Sequence, residues 1–213
     1  MNVMYDSIIF DMDGTIWDST KEVALAFSEV VRTKYPEVTD EITPERLKEL
    51  FGLLLDDIAV KLFKSVPAEK AIKIMDECCA YECEYLAKHN AKIYEGMEET
   101  LKELHKDYKL IIVSNCQEGY IQCFFKANPH LEKYFADYEY PGRTGKAKAE
   151  NIKLVIERNN LKNPVYVGDT AGDAAAAKKA GIPFIYARYG FGEVEEYDDF
   201  IDSPRDLLKK LKK

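Results

Sequence analysis

Ser7–Ile8–Ile9–Phe10–Asp11–Met12–Asp13–Gly14–Thr15 is an apolar run that stops abruptly at two carboxylates and a glycine. The apolar residues suit a strand buried on both faces of a sheet. Asp11 and Asp13 then stand at its tip, where unpaired carboxylates are costly to bury. A divalent cation offsets that cost, and magnesium favours a few carboxylates together with phosphate oxygens. Gly14 permits a sharp turn and brings backbone N–H groups close to an anion. An Asp-x-Asp-Gly stretch is also ordinary turn chemistry after a strand, so the rest of the chain must decide.

Three further apolar runs repeat the pattern: Leu110–Ile111–Ile112–Val113, Val165–Tyr166–Val167 and Phe184–Ile185–Tyr186. Helical spacing separates them, at Met97, Leu101, Leu104 and Tyr108, and again at Ile152, Val155 and Ile156. Strand–helix alternation predicts an α/β fold with a Rossmann-like parallel-sheet core. Such sheets bind ligands at the carboxyl ends of their strands. The alternation lapses from about Ile16 to Asn90, where no convincing strand is found. Val23, Phe27, Val30 and Val31 suit one helix, Leu47, Leu50, Phe51 and Leu54 a second, and Ile72, Met75, Cys79, Cys83 and Leu86 a third. The expected organisation is a core of residues 1–16 and 91–213 with an inserted all-helical cap at 17–90.

The other strand ends carry chemistry of their own. Ser114 and Asn115 follow the second run and offer a hydroxyl and an amide to a phosphoryl oxygen, although Ser-Asn also makes turns. Lys146 and Lys148 precede the helix beginning near Glu150, and a lysine there could neutralise a nucleophile and a transferring phosphate. Gly168–Asp169–Thr170 ends the third run, with Asp173 one helical turn later, where an N-terminal aspartate can cap the helix or support a metal. A parallel sheet would bring all of these to one edge.

Composition narrows the class. The 213 residues carry a net charge of −8, which disfavours nucleic-acid binding. Hydrophobic residues make up 46% and charged residues 32%, as in a globular protein rather than a disordered one. Five cysteines without a C-x-x-C pair suit a reducing, cytoplasmic setting better than a disulfide framework. No signal peptide, membrane span or membrane partner is expected, and a monomer or small homo-oligomer is. Lys209, Lys210, Lys212 and Lys213 read as a solvated helix end.

Asp11–Met12–Asp13–Gly14–Thr15, Ser114, a lysine, and Gly168–Asp169–Thr170–Ala171–Gly172–Asp173 together resemble the haloacid dehalogenase superfamily. The likeness spans about residues 5 to 190, and the helical block resembles that family's type-1 cap. Within the family the chain is most similar to the phosphoglycolate phosphatase and β-phosphoglucomutase branch. The resemblance implies a phosphatase acting on a small phosphorylated metabolite, phosphoglycolate-like or a sugar phosphate. Asp11 would be the nucleophile, forming an aspartyl-phosphate, and Asp13 the acid and then the base. Mg2+ would be held by Asp11, the Asp13 backbone carbonyl and Asp169, with Asp173 in support. Ser114, Asn115 and a lysine would bind the phosphoryl group. Lys148–Ala149–Glu150 looks like the Lys-Gly-Glu pattern of phosphoserine-phosphatase-like members, which favours Lys148 over Lys146. A phosphomutase shares the same core and stays open as the alternative. A non-catalytic binding protein would be expected to have lost the nucleophile or a metal aspartate. Trp17, Gly52, Cys116 and the Gly190–Phe191–Gly192 loop are secondary candidates for the pocket wall, each with a plain packing or turn reading beside it.

Overall fold

The computed structural model describes residues 5–211; Lys212 and Lys213, and residues 1–4 of the expected core, lie outside them. The chain opens with β1 (Ser7–Phe10) and β2 (Trp17–Asp18). Four helices follow: α1 (Thr20–Lys34), α2 (Pro44–Lys48), α3 (Leu55–Leu62) and α4 (Ala68–Leu86). Next come β3 (Lys92–Ile93), α5 (Met97–Leu104), β4 (Lys109–Val113), α6 (Tyr120–Ala127), α7 (Pro129–Glu132) and β5 (Phe135–Glu139). The remainder is α8 (Pro141–Thr144), α9 (Lys148–Asn159), β6 (Pro164–Gly168), α10 (Ala171–Ala180), β7 (Phe184–Ala187), β8 (Asp199–Ile201) and α11 (Asp206–Leu211).

Six strands form one sheet in the order β5-β4-β1-β6-β7-β8, and every pairing in it is parallel. Period-two alternation divides the strand side chains between two cores. Ile8, Phe10, Leu110, Ile112, Val165 and Val167 face one way; Ile9, Ile111, Val113 and Tyr166 face the other. Burial on both faces is why these strands read as continuous apolar runs. Phe10 lies opposite both Ile112 and Val167, so the three central strands end level. That register brings the residues following β1, β4 and β6 to one edge.

The helical block differs from expectation in two places. Trp17–Asp18 is a strand, paired antiparallel with Lys92–Ile93. It was missed because a two-residue ribbon shows no periodicity. The helix expected across Leu47, Leu50, Phe51 and Leu54 is divided: α2 stops at Lys48 and α3 starts at Leu55. Gly52 takes φ +93°, a left-handed conformation that breaks the helix. The turn places Phe51 and Gly52 against the strand edge instead of in a helix face.

Ile9 is wholly buried in the smaller core. Ile9→Ala should therefore lower stability by about 2–5 kcal/mol. The expected result in urea is a lower midpoint with an unchanged slope.

Candidate active site

The backbone N–H of Asp11 still pairs with Val167 O at 2.8 Å, so Asp11 is fixed at the first position past β1. Gly14, at φ +82°, then folds the loop back. A Cβ on Gly14 would lie 2.0 Å from Asp169 Oδ2, so only glycine lets the two loops meet. Asp169, just past β6, is wholly buried, and its Oδ2 accepts the Phe191 N–H at 2.7 Å. The Gly190–Phe191–Gly192 loop thus borders the site through its backbone. Thr15 Oγ1 donates to Asp169 Oδ1 at 3.3 Å.

Lys148 opens α9 and is 5% exposed. Its ammonium donates to Asp11 Oδ1 at 2.8 Å and to Asp173 Oδ1 at 2.6 Å. Lys146, the alternative, is exposed. Asp173 sits in the first turn of α10, where its Oδ2 accepts from Thr170 N at 3.0 Å and Thr170 Oγ1 at 2.7 Å. Both Asp173 oxygens accept from protein donors, and the residue holds the lysine in place. Among the described residues, Asp11 Oδ2 has no hydrogen-bond partner.

Asp13 points elsewhere. Its Oδ1 accepts from Ser19 Oγ at 2.6 Å and from Tyr120 OH at 2.7 Å. Ser114 and Asn115 line the same cavity as Asp11, Asp13 and Lys148. The Asn115 amide is already engaged, donating to Gly52 O of the helical block at 3.0 Å. Trp17 is wholly buried, edge-on to Phe124 at 4.9 Å, and packs rather than facing ligand. Cys116 also lines the cavity, but burial, with the charges of Asp13 and Asp11, pushes its thiol far up, so it stays protonated. Ser19, Tyr120 and Gln117 reach the site without any local motif to mark them.

Buried negative charge dominates the electrostatics. Burial raises the Asp11 carboxyl to about 7; Asp173 adds to the rise and Lys148 opposes it. Asp169 is raised well above its ordinary value by burial and by the charges of Asp173 and Asp11. Burial lifts Asp13 to about 6 against the donors Ser19 and Tyr120. Burial alone would lower the Lys148 ammonium, but Asp11 and Asp173 hold it above its usual range.

These groups fit a divalent cation. Asp11, Asp169 and Asp173 each offer a carboxylate oxygen, all within 4.8 Å of one another and all buried. Their three formal charges meet the single charge of Lys148, and a doubly charged ion balances the remainder. Hard carboxylate oxygens are the donors magnesium takes.

Carboxylates and a lysine gathered at the carboxyl edge of a parallel sheet, under a helical layer, define a Rossmann-like hydrolase. The chain belongs to the haloacid dehalogenase-like hydrolase family, whose model matches residues 8–187. It is 27% identical to a phosphoglycolate phosphatase of Vibrio parahaemolyticus, over 95% of this chain and 94% of the relative. It is also 27% identical to a phosphoserine phosphatase of Methanocaldococcus jannaschii, over 96% and 95% of the two chains. A haloacid dehalogenase-like hydrolase structure from Streptococcus pneumoniae superposes with a TM-score of 0.82 at 21% identity, covering 98% of this chain and 99% of that one.

The raised carboxyls set the sign of a stability measurement. Asp11 has its folded value near 7 against an ordinary 3.8, so the metal-free fold holds a proton that the unfolded chain has released. Stability contributed by that proton is present below about pH 4 and is lost as pH rises towards 7. In EDTA the melting temperature should fall between about pH 5 and pH 7.5 from this site. Magnesium should restore more at the higher pH, with each kcal/mol appearing as about 2–4 °C. An equal magnesium shift at both pH values would contradict the charge balance described above.

Proposed function

We propose that the chain is a magnesium-dependent phosphatase that hydrolyses small phosphomonoesters through an aspartyl-phosphate. The observation that carries this reading is the Asp11 carboxylate, held at one oxygen by Lys148 and left without a protein partner at the other. Family membership and relatives named as phosphatases support it.

The ester's phosphoryl group would rest against Ser114, Asn115 and Lys148. Asp11 Oδ2 attacks phosphorus, and the bond from phosphorus to the ester oxygen breaks. Asp13 gives its proton to that oxygen as the alcohol leaves; a carboxyl near 6 is suited to giving and taking protons around neutrality. Water then attacks phosphorus, Asp13 takes the water's proton, and cleavage of the acyl phosphate returns Asp11 and releases phosphate. Lys148, kept charged and aimed by Asp173, meets charge on the phosphoryl oxygens. Mg2+ would be held by Asp11, Asp169 and the Asp13 backbone carbonyl, with Asp173 in support; when bound, it keeps Asp11 ionised and draws charge from the phosphoryl oxygens.

Residues 17–90 act, in this reading, as a cap over the core at 1–16 and 91–213. The cavity between them is about 40 Å³, room for a few waters. Lifting of the helical layer would widen the cavity for an ester, and closure would then exclude water from the phosphoryl transfer. The β2–β3 ribbon is the natural hinge because both connections to the helical block run through it. Small phosphomonoesters that differ in the group at the far end of the chain, phosphoglycolate-like esters and sugar phosphates among them, are the substrates to assay.

Asp11→Asn nearly keeps the side chain's shape and removes its nucleophilic charge. Phosphate release from p-nitrophenyl phosphate should require magnesium in the wild type and drop at least about 10³-fold in the variant. Mass spectrometry of rapidly quenched wild type should find phosphate on Asp11. Turnover surviving in Asp11→Asn would refute the mechanism. Isomerised phosphate ester without released phosphate would indicate a mutase.

A further inference from the structure

Helix α4 turns a regular buried stripe inward: Ala71, Ile74, Met75, Cys78, Cys79, Glu82 and Leu86. One member of that stripe is a carboxylic acid. Glu82 is 4% exposed and lines the same cavity as Asp11 and Asp13. A charge in an apolar helical stripe is expensive unless paired. Among the described residues no cation pairs with it. Gln117 Nε2 donates to Glu82 Oε2 at 2.6 Å, which fixes the carboxyl and ties α4 to the loop after β4. Gln117 is the one hydrogen-bond donor to Glu82 among the described residues, and it reaches Oε2, not Oε1.

The remaining wall sharpens the point. Phe27, Ile58 and Met75 supply apolar surface around the acid. Lys148 is the one cationic side chain among the described residues lining the cavity, and it is already committed to Asp11 and Asp173. Lys48 lies outside that lining, paired with Asp18 at 3.1 Å. A carboxylate on the substrate would meet Glu82 and Asp13 in a desolvated space with no cation to answer it. An amine or hydroxyl would instead give Oε1 the donor it lacks.

We propose that Glu82 is a specificity residue that selects phosphomonoesters bearing an amino or hydroxyl group on the carbon chain, and discriminates against those ending in a free carboxylate. This rests on the phosphatase reading of the site. The ester's phosphoryl end lies at Asp11 and Lys148, and the tail crosses to α4. Gln117 acts as a positioning residue, setting the direction of the free oxygen. Burial pushes the Glu82 carboxyl up, and an ammonium placed beside it favours the ionised form.

Three nearly isosteric esters test this: 2-aminoethyl phosphate, 2-hydroxyethyl phosphate and 2-phosphoglycolate. Wild type with magnesium should show kcat/KM for the first two above phosphoglycolate by about tenfold or more, because a buried polar site rejects a partner that leaves it unmatched. Glu82→Gln should shrink the ratio of aminoethyl to carboxylate substrate towards unity, chiefly through KM. A merely structural role would lower all three alike and leave the ratio in place. Wild-type preference for phosphoglycolate would overturn the inference even if the variant failed to fold. The underlying reading fails separately: if p-nitrophenyl phosphate and all three esters are untouched by wild type, the phosphatase assignment falls, and the Glu82 assignment with it.

Discussion

Three carboxylates brought within 4.8 Å of one another in a buried place, answered by one lysine, are the constraint around which this structure is built. Left alone, such charges either protonate or force the fold apart. The surroundings divide the burden. Thr170 and Lys148 occupy Asp173, the Phe191 N–H and Thr15 hydroxyl meet Asp169, and Lys148 takes one oxygen of Asp11. Each donor comes from a different loop at the strand edge. The sheet's register, the glycine at 14 and the entry of α10 together bring these donors in. What remains unanswered after that sharing faces the cavity, and that is the part available for chemistry.

The helical layer shares one apolar cluster with the sheet, and at the strand edge polar contacts are added to it. Asn115 holds the Gly52 carbonyl, Gln117 holds Glu82, and Tyr120 and Ser19 meet over Asp13. Polar links of this kind are individually modest, about 0.5–1.5 kcal/mol net. Each is a contact that water could replace. Asp13 is gripped by a residue from each side of the divide, Ser19 before α1 and Tyr120 at the start of α6. The proton affinity of the acid and the position of the roof are therefore physically linked.

Much of the core was legible because its signals are local. Buried parallel strands are apolar on both faces, and Asp11, Ser114 and Asp169 fall immediately beyond such runs, so strand order and site position could be read together. Lys148 was separable from Lys146 by its place at a helix start. The two-residue ribbon and the edge strands were not legible. Phe135–Glu139 and Asp199–Ile201 are half-buried and rich in acids, as suits sheet edges, and so lack an apolar run. The break at Gly52 was hidden because apolar spacing continues through it. Tyr120, Ser19 and Gln117 reach the site only through tertiary packing. Glu82 had a signal that spacing could have given: an acid three residues after Cys79 and four before Leu86, on an apolar face.

The two-residue ribbon has a consequence for how such a molecule can change over time. Trp17 lies opposite Ile93, so the helical block leaves and rejoins the sheet-bearing part at neighbouring points. Whatever length of chain is spliced between those points imposes almost no closure strain on the sheet beneath, since the ends are already together. The sheet-bearing part and the helical block are thus free to diversify at different rates. The helical block can change length and surface while the geometry of the strand edge is held by the charges gathered there.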